Sequence, residues 1–547
     1  MLTGELFKNG IIAAAVCIKN NRTKIDELNV YPVPDGDTGT NMSLTLSAAA
    51  RELEMKDDNI TVSQAADIAA GAMLRGARGN SGVITSILFR GYSKAFKGLS
   101  EASSSDIAKA LKEGADAAYR SVMNPTEGTV LTVARIAAQR AESISAEKNM
   151  LVFWEKVCDA AQKALDKTPE QLPVLKKAGV VDAGGQGLVM IYKAMLNIFK
   201  GEAMPELEEN KPKKTTIEPE IKDDHDGDIK YSYCTEYIVE KASGCKDAFM
   251  LRAYLETIGD CVVVVEDSEI IKVHVHTDSP GLALQKGLEF GRFINEPKPK
   301  IENMRIQHEM RLRDKKFSEV KFTPAKPENE YGFVAVAAGG GIEDMFRDLG
   351  ADCIVKGGQT MNPSTDDILK AILSTPAKTV FVIPNNKNII MAAEQAVNLA
   401  DRNVCVIPTR SIPQGIAAMM AFDDTQTFDE NRLEMTRAIE GVATGLVTYA
   451  ARDSDYEGVN IKKGDVLAFN DGKLQLNDKD INKAAYRLVK KMAKGDSSLI
   501  TVMYGCDVSA SKAEELKSQL EAKFDGKAEI MLLNGGQPVY YYIISAE

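Results

Sequence analysis

Apolar residues recur at helical spacing through the first two hundred positions. SLTLSAAARELEM, VSQAADIAAGAMLRGA, SDIAKALKEGADAAYRSVM and VFWEKVCDAAQKALDK each carry one apolar stripe rich in Ala. No convincing run there alternates with the period of two that marks a strand. Residues 1–200 are therefore expected to form an all-helical domain whose loops carry the Gly-rich pieces. Residues 201–230 break the pattern with ten acidic residues, five lysines, three prolines and no aromatic. Such a segment cannot bury enough apolar surface to offset its ordering entropy, so an acidic flexible linker is expected.

The texture changes at 231. YSYCTEYIVE, CVVVVE and IIKVHVHT read as strands, KDAFMLRAYLETIG as a helix, and GLALQKGLEFGRF as a second helix with Pro280 at its favoured first position. The order β-α-β-β-α is that of a ferredoxin-like unit, a small α+β domain over 231–312. A Pro- and Lys-rich linker over 313–330 follows. From 331 to 547, YGFVAVAA, DCIVKG, KTVFVIP and NVCVIP are apolar runs of strand length, each followed by a helical segment. That alternation predicts a parallel, doubly wound α/β sheet, and LITVMYG, SKAEELKSQLEAKF and PVYYYIIS predict a second α/β half. The fold class expected is multidomain: all-α, then α+β, then α/β.

Composition narrows the function. The 547 residues are 44% hydrophobic and carry a formal charge of −11, against the basic surface of a general nucleic-acid binder. A local phosphate site remains compatible with that charge. Eight scattered cysteines without a CxxC pair fit a reducing compartment. The N-terminus lacks a signal-peptide pattern, and no stretch reaches the ~18 apolar residues of a membrane span, so a cytoplasmic protein is expected.

The candidate chemistry starts in NVYPVPDGDTGTNM (29–42). Asp35 and Asp37 sit in a turn after a stiff Pro-Val-Pro segment, offering the hard oxygen ligands that Mg²⁺ uses. Thr38, Thr40 and Asn41 follow at the start of a helix, where side chains and backbone N–H groups can donate to phosphate. An ordinary Asp-Gly turn that caps a helix is the plainer reading of this loop alone. Three further small-residue loops shift the balance: GARGNSG with Asn80 and Ser81, NPTEGTVLTV with Gly128 and Thr129, and AGVVDAGGQG with Asp182. Such loops are expected to gather at one end of a bundle. Neither GxxxxGK[ST] nor GxGxxG occurs, so the P-loop and Rossmann solutions are absent.

A second constellation lies in IIKVHVHT. His274 and His276 stand at i and i+2 and share one face of a strand. In a ferredoxin-like order the first and third strands are neighbours, which brings Cys234 to the same open face. Two His and one Cys make a zinc set with a fourth position left for water or substrate, while two exposed histidines beside a thiol are the structural alternative. Without metal, a protonated histidine can still stabilise charge on a transferring phosphoryl group. His225 and His308 attract no role.

PDGDTGTNM, ARGNSG, EGT and VVDAGGQG together resemble the ATP-binding subunit family of dihydroxyacetone kinases. That family builds an all-helical barrel and holds ATP through Mg²⁺ on clustered aspartates. With HVHT and GGQTMNPST added, the whole chain resembles the catalytic subunit of the bacterial two-component fatty acid kinases. The resemblance implies Asp35 and Asp37 as Mg²⁺ ligands, with Asn29 standing in for a third aspartate because the matching position is Val30. It implies Thr38, Asn41, Asn80 and Ser81 at the phosphates, and Gly128, Thr129 and Asp182 lining the nucleotide. It assigns Cys234, His274 and His276 to activity. The C-terminal region is similar to the fatty-acid-binding DegV-type fold and is implied to dock a separate, lipid-loaded DegV-type carrier, with Thr360, Asn362, Ser364, Arg410 and Ser411 marking the surface to test. The reading is an ATP-dependent kinase that phosphorylates a carrier-bound fatty acid to acyl phosphate, as a homodimer. A small-polyol kinase and a non-catalytic nucleotide-binding regulator are the rival readings.

Overall fold

The computed structural model describes residues 1–30, 36–122, 124–207, 231–242, 247–266, 269–294, 299–304, 323–358, 362–450, 454–456, 459–493 and 497–546. Asp35, Thr360, His225, His308 and most of both expected linkers lie outside the described residues. The chain divides into two compact units. One joins Met1–Lys211 with Pro324–Glu547, and the other spans Pro212–Thr323.

Among the described residues the first unit opens with eleven helices: α1 (Gly4–Asn20), α2 (Arg22–Glu27), α3 (Thr38–Glu54), α4 (Val62–Gly76), α5 (Gly79–Ala95), α6 (Ser104–Ser121), α7 (Val130–Ser143), α8 (Met150–Asp166), α9 (Thr168–Gln171), α10 (Pro173–Ala178) and α11 (Ala183–Phe199). The apolar spacing read from sequence is what they bury: in α1, Phe7, Ile11, Ala14 and Ile18 form one fully buried stripe. Neighbouring long helices pack in chain order from α3 to α8, then α8 against α11, α11 against α1 and α1 against α3. A tight approach joins α5 to α6, where a Cβ on Gly91 would lie 2.4 Å from the Gly114 nitrogen and the Ala110 carbonyl. Only glycine permits that backbone contact. A short two-stranded ribbon, β1 (Leu2–Thr3) with β2 (Glu101–Ala102), corrects the expectation of a strand-free region. Two-residue strands are too short to leave a periodic trace in sequence.

In the second unit, β3 (Tyr233–Lys241), α12 (Ala248–Ile258), β4 (Gly259–Glu266), β5 (Ile270–Thr277), α13 (Pro280–Gly287), β6 (Gly291–Phe293) and β7 (Lys300–Asn303) follow in order. The sheet runs β4-β5-β3-β6, all antiparallel, with β7 also on β3. Tyr237, Val239, Ile271, Val273 and Val275 are buried with Leu251 of α12 and Ala283 of α13, so both helices cover one face. The alternate residues of β3 and β5 face the other way. The second helix ends earlier than expected, at Gly287, because the chain turns into β6.

After Pro324 the first unit resumes. Strands β8 (Asn329–Ala337), β9 (Cys353–Lys356), β10 (Ala377–Ile383) and β11 (Asn403–Val406) form the parallel sheet the apolar runs predicted, in the order β11-β10-β8-β9. Between them lie α14 (Gly340–Asp348), α15 (Thr365–Ser374) and α16 (Lys387–Val397), then α17 (Ile412–Met420) and α18 (Phe428–Glu440). The remaining residues build β12 (Ala443–Tyr449), a ribbon of β13 (Ser454–Tyr456) and β14 (Val459–Ile461), β15 (Val466–Asn470), β16 (Lys473–Asp478), α19 (Ile481–Met492), β17 (Leu499–Tyr504), α20 (Ala510–Phe524), β18 (Glu529–Asn534) and β19 (Tyr542–Ala546). The six-stranded sheet is ordered β16-β15-β12-β19-β17-β18, and only β17 and β18 are parallel. Its hairpin turns at Asp471 and Gly472, both with positive φ, the geometry that an Asp-Gly pair supplies.

One apolar core runs through the helices and the parallel sheet. Met73 of α4, Val83 of α5, Ile368 of α15, Ile389 of α16 and Val382 of β10 belong to the same buried cluster. The first unit is therefore a helical region and an α/β region sharing an interior. Among the described residues, no helix is long and apolar enough to cross a membrane.

Candidate nucleotide and metal site

Helix termini leave backbone N–H groups without intrahelical partners. Thr61 and Ser103 satisfy theirs at α4 and α6 with full capping boxes. The expected phosphate loops do the opposite. Asp37, Arg78 and Thr129 precede α3, α5 and α7, and none makes a side-chain cap hydrogen bond. Two of these starts are met in part from elsewhere in the chain, α3 by Asp26, which accepts from Thr40 N–H, and α7 by Asp182, which accepts from Val130 N–H; an anion is the natural recipient of the N–H groups that remain.

Around α3 and α5 the side chains converge. Ser81 Oγ lies 3.5 Å from Thr38 Oγ1. Gly79 adopts φ of +55°, and a Cβ there would sit 2.5 Å from Asn41 Nδ2 and 3.1 Å from Asn362 Nδ2. The two amides and the Gly79 backbone thus form one tight cluster that a side chain would break. Asn362 Nδ2 donates to Asp37 Oδ2 at 2.7 Å, and Asn80 Nδ2 donates to Asn388 Oδ1 at 3.3 Å. The Oδ1 atoms of Asn80 and Asn362 are buried and have no hydrogen-bond partner among the described residues. Such orphaned acceptors are costly and suit a site completed by a ligand or by ordered water. An oxygen-rich set of this kind fits Mg²⁺.

Asp26 joins the site without any mark in the sequence. Its carboxylate accepts from Thr40 N at 3.0 Å and from Thr40 Oγ1 at 2.9 Å, tying α2 to the first turn of α3. Burial raises its carboxyl above the usual range, the Thr40 donors oppose the rise, and the charge of Asp37 adds to it. Thr40 is thereby turned to Asp26. Asn29 is buried, with its N–H donating to the Asp26 carbonyl at 3.2 Å.

Gly128, Thr129 and Asp182 form a second group. Gly128 has φ of +82° and packs its backbone against Thr168 and Gln171. Asp182 caps α11 by accepting from Gly185 N at 2.7 Å, accepts from Val130 N–H at the start of α7, and donates its own N–H to Thr168 Oγ1 at 3.1 Å. Burial pushes its carboxyl up to about 6 despite those donors. The folded chain thus holds this proton more tightly than the unfolded chain. The resulting stabilisation is complete below about pH 4 and is lost as pH rises through about 6. Asp182→Asn should gain stability relative to wild type between pH 4.5 and 7, by on the order of 2 kcal/mol. Paired thermal melts across that range check it; a pH-independent difference would refute the buried-acid account.

In the second unit β3 and β5 pair with Cys234 opposite His276 and Glu236 opposite His274. His274 Nδ1 lies 2.8 Å from Glu236 Oε1 and 3.9 Å from Cys234 Sγ, and its Nε2 lies 3.2 Å from His276 Nε2. The ligand atoms of Cys234, His274 and His276 all fall within 4.8 Å of one another. A register shift in β4, with Cys261 at φ of +49°, sets Asp260 and Cys261 beside His276 as a second such group. Bulges re-aim side chains in this way, and VVVV after a lone Cys gives no sequence sign of one.

Of the residues expected to mark a docking surface, Arg410 is exposed and Ser411 partly so, while two others turn inward. Asn362 and Ser364 are buried, 4% and 5% exposed, because their loop packs on α4 and α5. Thr365 N donates to the Ala77 carbonyl at 3.1 Å. Arg410 and Ser411 lie elsewhere, lining a cavity of about 70 Å³ with Asn385, Asn386 and Gln537.

Residues 32–197 match the DAK2 domain, which makes this chain a multidomain protein carrying the domain of a kinase related to the dihydroxyacetone kinases. Residues 230–311 and 332–547 match the middle and C-terminal domains of the FakA-like fatty acid kinase proteins. Protein YloV of Bacillus subtilis is 40% identical over 563 aligned positions, covering 100% of this chain and 99% of that protein. The chain belongs to the FakA-like fatty acid kinase family. Two solved structures are similar in part. The dihydroxyacetone kinase from C. freundii in complex with AMP-PNP and Mg²⁺ is 20% identical over 35% of this chain and 33% of its own, with a TM-score of 0.28. A DegV family protein from Thermus thermophilus, described by its fatty acid binding, is 14% identical over 40% of this chain and 99% of its own, with a TM-score of 0.31.

Proposed function

We propose that this chain is the ATP-binding subunit of a two-component fatty acid kinase, a cytoplasmic homodimer with a barrel-like helical region and a ferredoxin-like middle domain. Its substrate is a fatty acid presented by a DegV-type binding protein, and its product is an acyl phosphate. The observation that carries the reading is the convergence of the α3 and α5 starts, neither capped by the side chain before it, on Asp37 and two buried amide oxygens without a partner among the described residues. The matches to the DAK2 domain and to the FakA-like middle and C-terminal domains support it.

Asp35 and Asp37, with Asn29 as the candidate third ligand, would hold Mg²⁺; bound there, it supplies charge neutralisation at the β- and γ-phosphates. Thr38, Asn41, Asn80 and Ser81 donate to the phosphates together with the uncapped helix starts. Gly128, Thr129 and Asp182 line the nucleotide. One carboxylate oxygen of the fatty acid forms a bond to the γ-phosphorus as the bond to the β,γ-bridging oxygen breaks, and ADP leaves. A carboxylate acceptor is already ionised at neutral pH, so no general base has to remove a proton from it. What it needs is relief from repulsion against the phosphates, and the His274 and His276 imidazoles are suited to that, alone or as zinc ligands with Cys234. The donor set fits zinc in kind and spacing.

The experiment is to mix the protein with Mg-ATP and a fatty-acid-loaded DegV-type carrier and trap acyl phosphate with hydroxylamine. Hydroxamate that requires the carrier supports the reading. Turnover that depends on a polyol and ignores the carrier would replace it with the polyol kinase, and nucleotide binding without transfer to any acceptor would replace it with the regulator.

A further inference from the structure

We propose that Asn362, which belongs to the α/β region, is the positioning residue of the metal-binding carboxylate Asp37, so that the nucleotide site is completed only across the seam between the two regions. The inference rests on the Mg-nucleotide reading of the helical loops given above, but not on the identity of the phosphoryl acceptor.

Several constraints fix the Asn362 amide. Its backbone carbonyl accepts from Arg78 Nη1 at 2.7 Å. Arg78 also reaches Asp367 Oδ2 at 3.4 Å, and Arg78 and Ser364 form an isolated antiparallel bridge. Pro363 restricts the backbone of the residue before it. Ser364 then starts α15 with a full capping box to Asp367. Held this way, Asn362 gives its Nδ2 to Asp37 Oδ2, while its buried Oδ1 has no partner among the described residues. A carboxylate with one oxygen fixed by an amide presents the other in a set direction. Groups that orient a metal ligand in this manner change metal affinity by roughly 10- to 100-fold when removed. The neighbouring Asn80–Asn388 contact joins the same two regions a second time, at the other phosphate loop.

The test measures Mg²⁺-dependent binding of AMP-PNP to the full chain by calorimetry, for wild type, Asn362→Ala and Asn362→Asp. Asn362→Ala is expected to raise the Mg²⁺ concentration for half-maximal binding about tenfold, while affinity for the loaded carrier stays as in wild type. Asn362→Asp places a second carboxylate against Asp37, and like charges at that distance resist joint ionisation. Its melting temperature should therefore fall without Mg²⁺ and rise more on Mg²⁺ addition than that of wild type. A folded Asn362→Ala with a wild-type Mg²⁺ midpoint overturns the proposal, as does an Asn362→Asp variant with a wild-type response to Mg²⁺. A lower melting temperature with no change in Mg²⁺ midpoint would make Asn362 a purely structural contact and also overturns it. Wild type that binds Mg-AMP-PNP yet yields no hydroxamate would defeat the fatty acid reading alone. Wild type that binds no Mg-nucleotide defeats both.

Discussion

Asp37→Asn should abolish phosphoryl transfer, with kcat reduced roughly 10³-fold or more, while the protein melts close to wild type. The substitution keeps the size of the side chain and leaves an oxygen for the Asn362 amide to meet, so the contact across the seam survives. What it removes is the negative charge, and with it the affinity for a hard divalent cation. Half-burial sharpens the effect, since charges at a partly desolvated site interact more strongly than in bulk water. Hydroxamate formation under saturating carrier, measured beside a melt, is the check. Activity within tenfold of wild type at the same Mg²⁺ concentration would remove Asp37 from the metal site and leave the loop as a simple helix start.

His274→Ala should cost about 10²- to 10³-fold in transfer while leaving AMP-PNP affinity unchanged. His274 is the centre of its face: it touches Glu236 on one ring nitrogen and His276 on the other, with Cys234 close by. Removing it leaves Cys234 and His276 one ligand short of the three a catalytic zinc site uses. Metal content by mass spectrometry of the purified protein separates two roles. Zinc at about one per chain in wild type, lost in both His274→Ala and Cys234→Ser, assigns the trio to a metal. Lost activity in His274→Ala with full activity in Cys234→Ser would assign the imidazole a direct electrostatic part instead. An active His274→Ala variant would take this face out of the reaction.

Much of this is legible in the chain. Period-2 alternation puts His274 and His276 on one face of IIKVHVHT, and the β-α-β-β-α order, which makes the first and third strands neighbours, adds Cys234 of YSYCTEYIVE to it. The α1 stripe and the runs that become β8 and β10 are equally plain, since burial on one or both faces is written in residue type. The second sheet is not. Its hairpin of β15 and β16 mixes polar and apolar residues on partly exposed strands, so no clean period announces the antiparallel addition. Asp26 is hidden too, because its partner Thr40 lies fourteen residues on and nothing in RTKIDE marks one carboxylate from another. Asn362 stands out in sequence but in the wrong setting: GGQTMNPST reads as a strand-to-helix crevice edge, and spacing within it carries no information about what packs against that edge. The capping contrast is the signal that sequence does offer. TVSQ and SSSD advertise their boxes, whereas DTGT, RGNS and TVLT begin helices without one.

The contact between Asp37 and Asn362 spans 325 positions of chain, and that between Asn80 and Asn388 spans 308. Contacts so distant in sequence form late, after the loop-closure entropy of everything between them has been overcome. The helical region is made first, and the interior it shares with the α/β region is completed only after that region has been synthesised. Through that interval Asp37 has no amide to orient it. A chain interrupted between residues 200 and 362 carries the acidic turn and these helix starts without the Asn362 amide that orients Asp37. Competence at this site thus reports that translation has passed well into the α/β region.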